Sequence, residues 1–216
     1  MSILFQGDVV IPINKMTLNG ELFIPADTKG IIVFSHGSGS SRFSIRNRQV
    51  AKYLQERGFG TLLFDLLTED EDQYYYNRFN IDLLAKRLVS ATKWLESFPG
   101  AKESCICYFG ASTGAASALK AAAELPQIKA VVSRGGRPDL AGEDLKNVQA
   151  ATLLIVGSLD QDVLQLNRMA YSQMKCERRL EIVEGASHLF EEPGKLEVVA
   201  ELACDWFEKF TATVHV

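Results

Sequence analysis

The sequence predicts an α/β protein: a mostly parallel, doubly wound sheet with an antiparallel hairpin at its N-terminus. Three observations carry this. From residue 30 onward, short apolar runs alternate with segments of helical periodicity, the signature of a parallel sheet covered on both faces. The two strand-like runs before residue 30 have no helical segment after either of them, so they should pair with each other in opposite directions. Within the helical segments, apolar residues recur at spacings of three and four, as a helix lying on a sheet requires.

Taken in order, residues 9–13 and 18–24 alternate in strand fashion around the turn-forming Asn14 and Lys15. Apolar runs follow at 31–34, 60–64, 105–109, 130–132, 152–156 and 180–183. Helices are expected at 45–57, 81–98, 112–124, 164–174 and 196–210. In the second of these, Ile81, Leu84, Leu88, Ala91 and Leu95 form one apolar stripe. No repeat, low-complexity tract or linker interrupts the pattern, so residues 1–216 are expected to form one domain.

Composition excludes several classes of partner. With 23 basic and 27 acidic side chains the net charge is −4, and the pI is about 5.5. Such a balance argues against general affinity for nucleic acid or for anionic membrane surfaces. No apolar stretch approaches the ~20 residues that span a bilayer, and the N-terminus lacks a basic region followed by an apolar segment and a cleavage site. A cytoplasmic protein is expected. The four cysteines, Cys105, Cys107, Cys176 and Cys204, form no metal-ligand cluster and are expected to be reduced. Neither a metal nor a cofactor is called for, and the expected partner is a small-molecule substrate.

The chemistry centres on Gly110-Ala111-Ser112-Thr113-Gly114, set between the apolar run ending at Phe109 and a helix rich in small residues. A strand, a sharp turn carrying a serine and a helix would lift the hydroxyl clear of its neighbours and offer helix N-terminal N–H groups to a developing negative charge. A serine hydroxyl needs a base and an acid that orients the base. Of three histidines, His36 lies in an upstream Gly/Ser-rich loop and His215 is one residue from the terminus. His188 remains, just after the run at 180–183. After the run at 152–156 comes Gly157-Ser158-Leu159-Asp160-Gln161-Asp162, where Asp160 is the candidate acid and Asp162 lies two residues on. Every nominated group follows a strand, so all would meet at one edge of the sheet.

A pair of backbone donors is expected to face the developing oxyanion: the N–H of Thr113 and one from the loop His36-Gly37-Ser38-Gly39-Ser40, which analogy with the residue after His-Gly in related enzymes assigns to Ser38. His36 is read as holding this loop by hydrogen bonds to backbone. With these motifs in place, the chain resembles the α/β hydrolases of the dienelactone-hydrolase-like group, small members without a large cap. The resemblance spans nearly the whole chain and implies an α/β-hydrolase fold with Ser112, Asp160 and His188 as catalytic triad, in that family's chain order. Dienelactone hydrolases proper carry cysteine as nucleophile where this chain has Ser112, so the resemblance implies the chemistry class, a serine hydrolase acting on carboxylic esters or related acyl compounds, and does not extend to the dienelactone substrate. Thioesterase, lactonase, peptidase and cofactor-free haloperoxidase reactions use the same triad, and a non-enzymatic binding protein on the same fold is the alternative from another class.

Two segments should shape access. Residues 133–150 are too few for a lid of several helices, which predicts an open site suited to short, water-soluble acyl groups. The acidic run Glu69-Asp70-Glu71-Asp72 reads as a solvated loop, and Tyr74-Tyr75-Tyr76 as cover for the sheet edge. Arg134 and Arg137, after the run at 130–132, are candidates to bind a carboxylate or phosphate of the substrate, with Arg42 and Arg46 beyond the Ser38 loop as further cations at the same edge.

Overall fold

The computed structural model describes residues 2–212. Strands β1 (Ile3–Ile13) and β2 (Met16–Pro25) form the expected hairpin, closed by a turn in which Asn14 takes a φ of 54°. Asparagine tolerates that left-handed conformation better than most residues. The first strand begins at Ile3, well before the expected residue 9, because pairing with β2 continues through Gly7, Gln6 and Phe5 although the outer residues there stay exposed. Ladder hydrogen bonds extend the strand past its hydrophobic pattern.

Six further strands follow: β3 (Ile31–Ser35), β4 (Gly60–Phe64), β5 (Ile106–Ala111), β6 (Ala130–Arg134), β7 (Ala151–Gly157) and β8 (Arg178–Val183). They lie parallel to one another, β2 pairs antiparallel with β4, and the sheet order is β1-β2-β4-β3-β5-β6-β7-β8. The order reverses around β3, since the chain runs outward to β4 on one side and to β5 on the other, and such a switch opens a crevice at the strands' C-terminal ends.

Helices cover both faces. They are α1 (Ile45–Glu56), α2 (Glu69–Asp72), α3 (Ile81–Glu96), α4 (Thr113–Glu124), α5 (Gln161–Gln173) and α6 (Lys195–Thr211), with 3-10 segments at Tyr75–Phe79 and Pro138–Asn147. Strand alternation splits the core in two. Along β5, Ile106 and Tyr108 pack with α3 and α4 on one face, while Cys107 and Phe109 pack with α1 and α6 on the other. On α3 the stripe predicted from spacing is buried at Leu84, Leu88, Ala91 and Leu95. Each fully buried leucine there is worth roughly 1.5–3 kcal/mol. Asn80 caps this helix, its side chain accepting from Leu83 N at 3.1 Å.

Helix α5 starts at Gln161, earlier than its apolar pattern at Leu164, because its first turn is polar and exposed. The acidic run is not an irregular loop. It forms α2, closed by a capping box in which Thr68 Oγ1 accepts from Glu71 N and the Glu71 carboxylate accepts from Thr68 N. Among the described residues no helix is long and apolar enough to cross a membrane. His215 lies outside the described residues.

Candidate active site

Ser112 sits between β5 and α4 with φ 52° and ψ −122°, a conformation that costs a non-glycine residue about 1–3 kcal/mol and persists only where the surroundings enforce it. The flanking glycines enforce it. A Cβ on Gly114 would overlap the Ser35 carbonyl, and one on Gly110 would meet the Ala115 Cα at 2.5 Å, so neither position admits a larger residue while strand, turn and helix stay this close. Although Ser112 occupies the N-cap position of α4, its side chain makes no capping hydrogen bond. Its hydroxyl is therefore not consumed by the helix behind it.

The backbone ties this turn to the end of β6. Ser112 N donates to Arg134 O at 3.2 Å, and Arg137 N donates to Ser112 O at 3.1 Å. His188 arrives at the same place from β8: a Cβ on Gly135 would lie 2.9 Å from His188 O and 3.6 Å from its Cε1. The loops after β7 and β8 are stitched together by Ser158 N to Val183 O and Leu159 N to Ala186 O, both 3.0 Å, and by Gly185 N to Ser158 Oγ at 2.8 Å. That stitching brings Asp160 Oδ2 to 2.6 Å from His188 Nδ1. Asp162 lies on α5 and is exposed, so the histidine faces Asp160 of the two. Ser112 Oγ and His188 are not hydrogen-bonded to each other in this conformation.

Sequence reasoning passed over Glu192. Its carboxylate accepts from Ser187 N with both oxygens at 3.1 Å, pinning the residue next to His188. The hydrogen bonds from Ser187 hold the Glu192 carboxyl below the usual carboxylate range. Nothing in the local pattern marks it, since the bond depends on how residues 187–192 fold back.

The loop after β3 is fixed by His36. Its Nε2 accepts from Leu66 N at 3.0 Å, which makes Nδ1 the protonated nitrogen that donates to Gly37 O at 3.0 Å. Burial lowers the pKa of the ring, in keeping with a neutral imidazole that serves structure. Ser38 is engaged within the loop region. Its N–H, expected to be free for an oxyanion, donates to Thr113 Oγ1 at 2.8 Å. The reason is that Thr113 turns its hydroxyl toward the loop, where the spare amide is the nearest donor. A cleft of about 250 Å³, walled by His36, Ser40, Phe43, Asp65 and Leu67 among others, opens beside this loop, and Ser112 is not in its wall. Backbone strain and not concavity singles out the Ser112 region.

The four arginines nominated at this edge part company. Arg137 gives its fork to Asp139, with Nε at 2.9 Å and Nη2 at 2.8 Å, which leaves it paired and not open to an anion. Arg42 is paired with Asp65, and Arg46 reaches Glu191 at 2.8 Å. Arg134 is the last residue of β6 and not part of a loop; only 6% of it is exposed. The tyrosines also differ from expectation. Tyr74, Tyr75 and Tyr76 are 69%, 72% and 75% exposed, because the 3-10 segment Tyr75–Phe79 and the extended residue before it face outward instead of lying on the sheet.

Comparison with known proteins fits this geometry. Two Mycobacterium tuberculosis proteins, of strains CDC 1551 and H37Rv and both bearing the name putative phosphoribosyl transferase, are each 54% identical over 201 residues. That match covers 93% of this chain, and the chain spans 45% of the length of these curated relatives. A crystal structure of a dienelactone hydrolase from Anabaena variabilis superposes with a TM-score of 0.92 at 50% identity, covering 95% of this chain and 98% of that one. Est1E from Butyrivibrio proteoclasticus shares the fold at 16% identity, with a TM-score of 0.81 over 96% of this chain and 100% of its own. The family model for dienelactone hydrolases matches residues 18–215, a span that holds the Ser112 turn and both loops that bring Asp160 to His188. The chain belongs to the dienelactone hydrolase family.

Proposed function

We propose that the protein is a serine hydrolase that cleaves carboxylic esters or related small acyl compounds through an acyl-enzyme. The observation that carries this reading is the 2.6 Å His188–Asp160 hydrogen bond beside a strained, uncapped Ser112. His188 Nε2 takes the Ser112 proton as Oγ attacks the acyl carbon, and the carbonyl electrons move onto oxygen. Collapse of that adduct expels the alcohol, which receives the proton from His188; water then repeats the sequence and frees the acid. Asp160 holds the Nδ1–H tautomer and stabilises the imidazolium as it forms.

The developing oxyanion is assigned to the N–H of Thr113, at the first turn of α4, and to the loop at Ser38. There the Ser38 amide either exchanges its Thr113 partner for the oxyanion or leaves the Thr113 hydroxyl to donate in its place. The transferase name borne by the longer relatives is not carried over, since more than half of their length lies outside the match.

A fluorophosphonate probe tests the reading directly. The wild type should be labelled at Ser112 and Ser112→Ala should not; an unlabelled wild type would reduce the protein to a binding fold. A chain-length series of esters extends the test. With few residues between β6 and β7 to cover the site, short soluble esters should be hydrolysed faster than long-chain emulsions, because little apolar surface is available to repay about 0.8 kcal/mol per buried methylene.

A further inference from the structure

Asn167 is a polar residue in an apolar stripe. The buried positions of α5 are Leu164, Asn167 and Ala170, and the asparagine between the two apolar residues is fully buried. Packing against the sheet would be served by leucine or alanine there. The amide also carries a cost, because its Oδ1 is buried with no hydrogen-bond partner. Its two N–H groups show where it acts. Nδ2 donates to Val163 O at 2.8 Å, within its own helix, and to Gly136 O at 2.9 Å, in the segment that follows β6.

Gly136 belongs to a segment that holds the nucleophile turn from both sides. Ser112 N donates to Arg134 O, and Arg137 N donates to Ser112 O. Between these contacts, Gly135 is tied to β7 by its N–H on Ile155 O at 2.8 Å, and it packs against His188. Gly136 is wedged in place: a Cβ there would fall 1.9 Å from Ser133 Oγ and 2.5 Å from Ala115 Cβ. The Asn167 amide binds its carbonyl.

The acid enters through the same helix. Asp160 is the N-cap residue of α5, and Asn167 lies about two turns further on, hence on the same face. One buried hydrogen bond thus joins the helix that begins at Asp160 to the segment that grips the Ser112 backbone and touches His188.

We propose that Asn167 is a positioning residue: its bond to Gly136 sets the distance between the Asp160 end of α5 and the turn that holds Ser112. Its effect on turnover rests on the hydrolase reading, whereas the clamp itself does not. Without the bond, residues 135–137 lose their hydrogen bond to α5, and a misplacement of about 1 Å at the reacting groups can cost about 10²-fold in rate.

The test compares Asn167→Leu, which fills the site without a donor, with Asn167→Ser. The serine hydroxyl can return to its own helix, as those of Ser90 and Thr92 do, but ends a bond short of Gly136. For para-nitrophenyl acetate, kcat should fall about tenfold or more in both variants with KM within about twofold, the pattern of misplaced catalytic groups and intact binding. If Asn167→Leu does not fold, Asn167→Ser carries the test. Thr152→Val controls for stability alone: it removes a buried hydrogen bond of 3.0 Å to Ala150 O at the opposite edge of the sheet. It should lower Tm and leave kcat within about twofold. An unchanged kcat in Asn167→Ser, or an equal loss of kcat in Thr152→Val, overturns the proposal.

Amide hydrogen exchange reads the clamp without turnover. In Asn167→Ser the amides of Ser112, Gly135 and Arg137 should exchange about tenfold faster or more than in wild type, and in Thr152→Val they should not. That result, with no ester turned over by the wild type, would remove the hydrolase reading and leave the clamp standing. Unaltered exchange at these three amides overturns the clamp whether or not the protein is a hydrolase.

Discussion

The turn at residues 110–114 and the segment at residues 68–80 both follow parallel strands at the same edge of the sheet, yet they are built in opposite ways. The first follows β5 at the centre of the sheet, is buried except for part of Ser112, and holds a positive φ between two glycines that tolerate no side chain. The second follows β4 and is self-contained: α2 is closed by its own capping box, Asp72 pairs with Arg78, and Tyr75 stacks on Phe79 at 4.9 Å. Strain enforced by burial marks a place where geometry matters to chemistry. Exposed side chains on a locally satisfied loop mark a place that tolerates change.

The sharpest contrast comes from Ser112→Ala. It should fold normally and lose about 10³-fold or more in kcat, with a residue of catalysis left by binding and the oxyanion donors. His188→Ala should fall by a similar factor. Ester hydrolysis at near wild-type rate by either variant would break the comparison at its first member.

Next in size is the acid. Asp160→Asn should lower kcat by orders of magnitude, since an amide can stabilise the wrong imidazole tautomer, whereas Asp162→Asn should change it less than about threefold. The measurement is kcat for both variants at one pH. Equal losses would mean that the 2.6 Å contact is not the one that matters.

A smaller effect, on stability, comes from His36. Burial lowers its folded-state pKa, so between that value and 6.5 the unfolded chain binds a proton that the folded chain does not. Its contribution is complete above pH 6.5 and is lost as the pH falls through that window toward the folded-state pKa, at a slope of up to about 1.4 kcal/mol per pH unit for one proton. Denaturant titrations at pH 7.5 and pH 5 should show a steeper loss for wild type than for His36→Gln. Equal slopes would remove His36 as the origin.

The smallest effect belongs to the outer segment. Tyr75→Ala should leave stability within about 0.5 kcal/mol and kcat/KM for a short ester within about threefold, because surface changes away from packed features are usually that mild. A tenfold loss in kcat/KM would move this segment into the substrate site and erase the contrast.

Much of this was legible in the chain. The alternation of apolar runs and helical periods predicted strand directions, and the spacing on α3 predicted its buried face, because both follow from the periods of local geometry. Ser112 and its flanking glycines were also legible, since a tight strand–turn–helix demands small residues at fixed positions. Other features were not. Thr68 and Glu71 have the spacing of a capping box, a signal overlooked because the acidic run around them reads as solvated. The tyrosines were misplaced because aromatic composition does not say which way a 3-10 turn faces.

The sequence by itself determined the parallel α/β architecture and the sharp strand–turn–helix at Ser112, since the periodicity and the small residues that signal them are written within a few positions of the chain. The tertiary structure alone decided that His188 meets Asp160, that Ser38 N–H is engaged by Thr113, that Arg137 is neutralised by Asp139, and that Arg134 is buried without an anion. Those outcomes turn on atoms brought to within a few ångströms by loops from different strands, or by the way one strand end folds back on itself. Electrostatic pairing depends on that distance and on burial, and neither is written in spacing along the chain.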